Sequence, residues 1–165
     1  MKSYILIIIL IITMLSIYSC ERKEKEELNI KEFLSDAAEI NQKETQLSML
    51  AKDKGMAEEV KNIGKAIETD HIQLLTELQN LAQLKAVTLP ATSAKDDYVT
   101  LSKAGNKFDK KYCELMAEEY KKSIRLYEKA VGKNSDSVVK NWINQTLPTL
   151  RKNLDLVMTC NEKIK

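Results

Sequence analysis

The chain has 165 residues, enough for one domain with a substantial core. Four glycines and two prolines exclude collagen-like and linker-like chains, and 30% charged with 44% hydrophobic residues excludes a polytopic membrane protein and a disordered coil. With 26 basic against 24 acidic residues, 5% aromatics and one histidine, neither a nucleic-acid binder nor a multi-histidine zinc site is expected.

Residues 1–19 read as a lipoprotein signal peptide. Lys2 is the only charge before Glu21, and the run from Tyr4 to Ile12 is apolar but for one hydroxyl. The uncharged stretch from Ser3 to Ser19 is slightly short for a span of roughly 20 residues. It ends in Leu15-Ser16-Ile17-Tyr18-Ser19-Cys20, which resembles the bacterial lipobox. That resemblance implies cleavage before Cys20, diacylation of its thiol, and attachment to the membrane through lipid. The cell envelope is then the expected location, most simply the outer membrane, on its periplasmic or surface face. Residues 20–28 hold seven consecutive charges from Glu21 to Glu27 and are expected to be a solvated tether. The acidic residues there also resemble, weakly, a surface-export signal of Bacteroidetes-type lipoproteins.

Residues 29–163 read as four long helices in two hairpins. The first helix is expected from Asn29, as a cap, to Lys54, with Gly55 as its stop. Its seam is Ile30, Phe33, Ala37, Ile40, Glu44, Leu47 and Ala51, stepping by three and four. The second runs from Ala57 to Leu84 on the seam Val60, Ile63, Ile67, His71, Leu74, Leu78 and Leu81. A connection from Lys85 to Lys107 follows, with a short helix at Asp96–Lys103. The third helix runs from Phe108 to Val131, with Asp109 placed to favour its dipole. Ser135 is the expected cap of the fourth, Asp136 to Lys163, which Pro148 should kink. A helix of 26 residues is about 39 Å long, and 23 extended residues reach roughly 75 Å. The long connection can therefore cross the whole length. The fold class is all-α, a ferritin-like four-helix bundle whose two antiparallel hairpins are joined by one crossover.

Polar residues interrupt the seams at one level: Glu44, His71, Tyr120 and Asn153. In this topology they form a central polar layer, where buried groups must find partners. Ferritin-like metal proteins place a Glu from two helices and a Glu-x-x-His from the other two at that level. Glu68-Thr69-Asp70-His71 fits one such pair, and Glu119 stands beside Tyr120. A partial iron, manganese or zinc site at Glu44, Glu68, His71 and Glu119 is thus one expectation. A hydrogen-bonded layer with no cofactor is the other, and the favoured one.

Cys113 and Cys160 are the cysteines left after Cys20. An envelope location permits a disulfide between them, with two buried thiols as the alternative. Counted from the turn they share, they stand 18 and 24 residues away, an axial offset of about 9 Å that argues against the bridge.

Residues 29–162 resemble the domain of unknown function 4142 family of bacterial envelope proteins. The carrying residues are Phe33 with Ala37-Ala38, Glu44, Leu50-Ala51, Val60 to His71, Lys107-Phe108-Asp109-Lys110-Lys111-Tyr112, and Leu147-Pro148-Thr149-Leu150. The resemblance implies a ferritin-like fold and an envelope location. It also implies histidines at two places that hold Tyr120 and Asn153 here. With one histidine, no Ser-His or Cys-His constellation exists apart from His71 itself. The expected function is a lipid-anchored, non-catalytic binding or envelope-maintenance module with a degenerate metal site, whose partner is another envelope protein. The alternative is a metalloprotein with residual oxidase chemistry.

Overall fold

A computed structural model describes the backbone of residues 2–91 and 95–164, and side chains within that range from Glu21 onward. Among the described residues it is all-helical, with five α-helices and no strand. They are α1 (Lys2–Lys54), α2 (Glu58–Leu84), α3 (Lys95–Ser102), α4 (Phe108–Lys133) and α5 (Ser137–Lys163), with a 3-10 turn at Gly105–Lys107 before α4.

The stretch Glu21–Leu28, expected as a solvated tether, has regular structure. It is helical and continues into the body of α1, so Asn29 lies inside the helix and caps nothing. Glu, Lys and Arg all propagate helix well, and Lys23 and Glu27 stand one turn apart, 4.0 Å between charges. Most of these side chains remain exposed.

α1 packs on α2 and α4, and α5 packs on the same two helices. Directions follow from named contacts. Asp109, at the start of α4, accepts hydrogen bonds from the backbone N–H groups of Met56 and Ala57 at 2.8 and 2.7 Å. The starts of α2 and α4 are therefore neighbours. Lys85, just past α2, meets Asp136, just before α5, at 2.5 Å. The connection from Lys85 to Lys107 thus travels from one end of the helices to the other. It is fastened midway: Gln42 donates to the Pro90 carbonyl at 3.0 Å, and Lys43 meets Asp97 of α3 at 2.5 Å.

Asp109 stands in the first turn of α4, as expected, and in addition accepts from the N–H groups just before α2. A second cap differs from expectation. The cap of α5 is Asp136, not Ser135; its carboxylate accepts from Val138 and Val139 N–H, both at 3.0 Å. α5 runs through Pro148 without interruption. The core draws on every long helix, and an edge-to-face pair, Phe33 with Tyr127 at 5.2 Å, joins Trp142 in an aromatic group near the α4–α5 turn. Gly64 is needed for the close approach of α1 to α2. A Cβ there would stand 2.7 Å from the backbone nitrogen of Lys52 and from the carbonyl of Ser48.

Candidate functional site

The α2 seam brings His71 into the centre of the helices with no exposure to solvent. Its two ring nitrogens face different helices. Nε2 lies 2.7 Å from the Tyr120 hydroxyl on α4, and Nδ1 lies 3.1 Å from the side-chain amide nitrogen of Asn41 on α1. An amide N–H can only donate, so Nδ1 accepts and the ring proton sits on Nε2, donating to Tyr120. Glu44, one turn beyond Asn41, places Oε2 3.6 Å from Nδ1, too far for a hydrogen bond. Its Oε1 instead accepts from the Ser123 hydroxyl at 2.7 Å. One turn further along α1, Ser48 meets the Tyr112 hydroxyl at 3.3 Å.

Burial sets the charge states here. It raises the Glu44 carboxyl to about 8, against the lowering effect of the Ser123 hydrogen bond. It lowers the His71 imidazole to about 4. It also pushes the Tyr120 phenol well above its ordinary value. At neutral pH the layer therefore holds a protonated carboxyl, a neutral imidazole and two neutral phenols, Tyr112 and Tyr120.

The predicted layer is present in part. Glu44, His71, Tyr120 and Asn153 are all buried. Hydrogen bonds link His71 to Tyr120 and to Asn41, and Glu44 to Ser123. Asn153 faces the Tyr120 phenol, yet neither its amide nitrogen nor its oxygen completes a hydrogen bond with another protein group. The Asn41 side-chain oxygen is likewise buried without one.

The four-residue ligand set does not come together. The Glu68 carboxylate is held by Lys52 of α1 at 2.9 and 2.7 Å. Glu119 is held by Lys43 at 3.0 Å and Lys122 at 2.7 Å. Both point to lysines on the flanks, because a long carboxylate near a helix edge pairs with a cation that keeps contact with water. Only Glu44 and His71 of that set share the layer. Among the described residues no three His, Cys, Asp or Glu side chains converge. A ferritin-like centre, which takes a Glu from two helices and a Glu-x-x-His from the other two, does not fit this donor set, in which α4 and α5 bring Tyr120 and Asn153 to the layer.

Cys113 of α4 and Cys160 of α5 form a disulfide, with Cα atoms 6.2 Å apart. The expected offset was too large because the shared turn is shorter and displaced. α4 ends at Lys133 and α5 starts at Ser137, so the cysteines lie 20 and 23 residues from it. The signal-peptide reading of residues 1–19 and the lipidation of Cys20 fall outside the described side chains. Among the described residues no helix is long and apolar enough to cross a membrane.

Sequence reasoning missed Asn41, Ser123 and the Ser48–Tyr112 pair. Their signal was spacing: Asn41 is three residues before Glu44, Ser48 four after it, and Ser123 three after Tyr120, all within one helical turn.

A family model described as a domain of unknown function (DUF4142) matches residues 20–159. No curated protein and no solved structure matches the chain.

Proposed function

The chain belongs to the DUF4142 family, and from that premise we propose that it is a lipid-anchored, non-catalytic protein of the bacterial envelope, built as a ferritin-like four-helix bundle. The observation that carries this reading is the saturation of the central histidine. Both nitrogens of His71 are engaged by side chains of its own protein, Asn41 and Tyr120. A site evolved for chemistry keeps a reactive group open to substrate. Here the only imidazole is sealed and neutral, and the layer serves to fix the packing of the helices. The crossover from Lys85 to Lys107, with the starts of α2 and α4 side by side, supports the ferritin-like arrangement. The lipobox ending at Cys20 supports the anchor. A bundle held at a membrane then acts through its surface, by binding another envelope protein or by contributing to envelope maintenance.

Two measurements test this. Cys20→Ser should abolish labelling of the protein by a radioactive fatty acid in the producing bacterium; undiminished labelling refutes the anchor. Full-length protein purified in detergent should contain no stoichiometric iron, manganese or zinc. Stoichiometric metal lost in His71→Ala would establish instead the second reading, a metalloprotein. That reading is favoured by one distance, the 3.6 Å between Glu44 Oε2 and His71 Nδ1, and would use those two residues alone of the set first expected.

A further inference from the structure

One end of the helices presents more apolar surface than its role in packing requires. It is the end at which α1 enters from the uncharged stretch of residues 3–19. Leu28 is 55% exposed, Leu84 66% and Val138 46%. The three are continuous. Leu84 and Leu28 line an open depression of about 750 Å³, together with Ala86 and Val87, and Leu84 and Val138 line a second depression on its other side. The charged lining of the first is balanced, Lys23, Lys31 and Lys85 with Glu26, Glu27 and Asp136, so the apolar side chains and not a net charge distinguish it. Ala86 is held at φ 54°, a left-handed conformation in which a glycine would be unstrained.

The height of this end above position 20 identifies what faces it. Lys23 and Ala86 line the same depression, so the loop after α2 lies beside Lys23. Glu26 hydrogen-bonds to Ser135, so the α4–α5 turn lies beside Glu26. Lys23 and Glu26 are three and six residues from Cys20, about 4.5 and 9 Å along a helix. The headgroup layer of a bilayer is roughly 5–7 Å deep on each side. With α1 upright, a lipid on Cys20 therefore brings the loop after α2 to headgroup level; the α4–α5 turn, about 9 Å up, and Leu28, eight residues or about 12 Å up, reach it when α1 tilts toward that face.

We propose that this end is a membrane-contact surface, on which a tilt of α1 seats Leu28, Leu84 and Val138 among phospholipid headgroups with Lys23 nearest their phosphates. The inference rests on the lipid-anchor reading above. It adds that the folded domain lies against the bilayer instead of hanging free on a leash. Continuity of α1 from the anchor into the domain supports this, because a helix transmits orientation where a coil would not.

The test uses full-length lipidated protein reconstituted into phosphatidylethanolamine–phosphatidylglycerol vesicles. An environment-sensitive fluorophore is placed on Leu84→Cys, or on Met56→Cys, which is 63% exposed at the opposite end. Lipids bearing a headgroup nitroxide should quench the label at position 84 several-fold more strongly than at 56. The difference should persist at one protein per vesicle and shrink in Leu28→Asp/Val138→Asp. Equal, weak quenching at both positions in protein that floats with the vesicles overturns the contact and leaves the anchor standing. A blue-shifted label at 84 that the nitroxide does not quench, and whose shift is lost on dilution without quenching appearing, assigns the surface to a second copy of the chain and also overturns the contact. Protein that does not float refutes the anchor, and the contact with it.

Discussion

The imidazole Nε2 of His71 lies 2.7 Å from the hydroxyl of Tyr120, and neither side chain has any exposure to solvent. The pair joins α2 to α4, two helices that otherwise approach each other across the core. Tyr120→Phe removes the acceptor and leaves a ring N–H buried without a partner. The expected loss is about 1–3 kcal/mol of unfolding free energy. Adding His71→Leu to Tyr120→Phe removes that ring N–H but leaves the Asn41 amide without its acceptor, so urea denaturation should show the loss recovered only when Asn41→Leu is added as well.

Stability should peak in mildly acidic solution. His71 has its pKa lowered from 6.5 to about 4, so the unfolded chain binds the extra proton and stability rises with pH across that interval. Glu44 has its pKa raised from 4.5 to about 8, so the folded chain keeps a proton that the unfolded chain has lost. Its contribution falls as pH rises from 4.5 to 8. Between pH 4.5 and 6.5 the two slopes cancel, and above 6.5 only the fall remains. A decline on the order of 2 kcal/mol between pH 6.5 and 8 is expected. Glu44→Gln should flatten it. Thermal melts of both proteins across pH 4–9 check the shape, and a wild-type curve that rises from 6.5 to 8 contradicts it.

Much of this arrangement was legible in the periodicity. Every residue of the α2 stripe from Val60 to Leu81 is buried, because a helix covered on two sides by α1 and α5 keeps a regular seam. The seam of α1 was drawn too narrow. α1 packs on both α2 and α4, so its buried face extends to Leu34, Asn41 and Ser48, beyond a stripe of threes and fours. Asn41 escaped notice for that reason. Glu68 and Glu119 were misassigned because spacing locates a Cα, whereas the partner of a long carboxylate depends on which lysine an adjacent helix offers. The Asp109 cap of α2 was beyond sequence reasoning altogether, as it joins residues 52 and 53 positions apart.

The Cys113–Cys160 disulfide closes a loop across a separation of 47 residues. By chain entropy alone it stabilises the fold by about 4 kcal/mol. Reduction under native conditions should lower the urea midpoint without changing far-ultraviolet circular dichroism in dilute buffer. Thiol counting on denatured, unreduced protein should find neither Cys113 nor Cys160 free. Two free thiols from these positions would remove the cross-link from the account of stability.

Ala86 closes α2 in a Schellman arrangement. Its N–H donates to the Gln83 carbonyl at 3.1 Å, and the Val87 N–H to the Ala82 carbonyl at 2.9 Å. The left-handed conformation of an alanine there costs roughly 1–2 kcal/mol, while glycine adds about 0.5–1 kcal/mol of chain entropy to be lost on folding. The first effect is larger. Ala86→Gly should therefore stabilise the protein by about 0.5–1 kcal/mol, a rise of roughly 1–4 °C in Tm for a chain of this size.

Gly64 should respond in the opposite way to the change usually made to stabilise helices. At an exposed mid-helix site, glycine to alanine gains about 1 kcal/mol. Gly64 is buried in α2, and a Cβ would meet two backbone atoms of α1, each at 2.7 Å. Backbone cannot rotate aside as a side-chain tip can, so α1 and α2 must separate and loosen the core they share. Overpacking of this kind costs about 1–3 kcal/mol and outweighs the propensity gain. Gly64→Ala should lower the unfolding free energy by urea titration, whereas Gly132→Ala, where nothing lies within 4 Å of the added carbon, should not. Equal behaviour of the two variants would mean that α1 and α2 do not approach as closely as described.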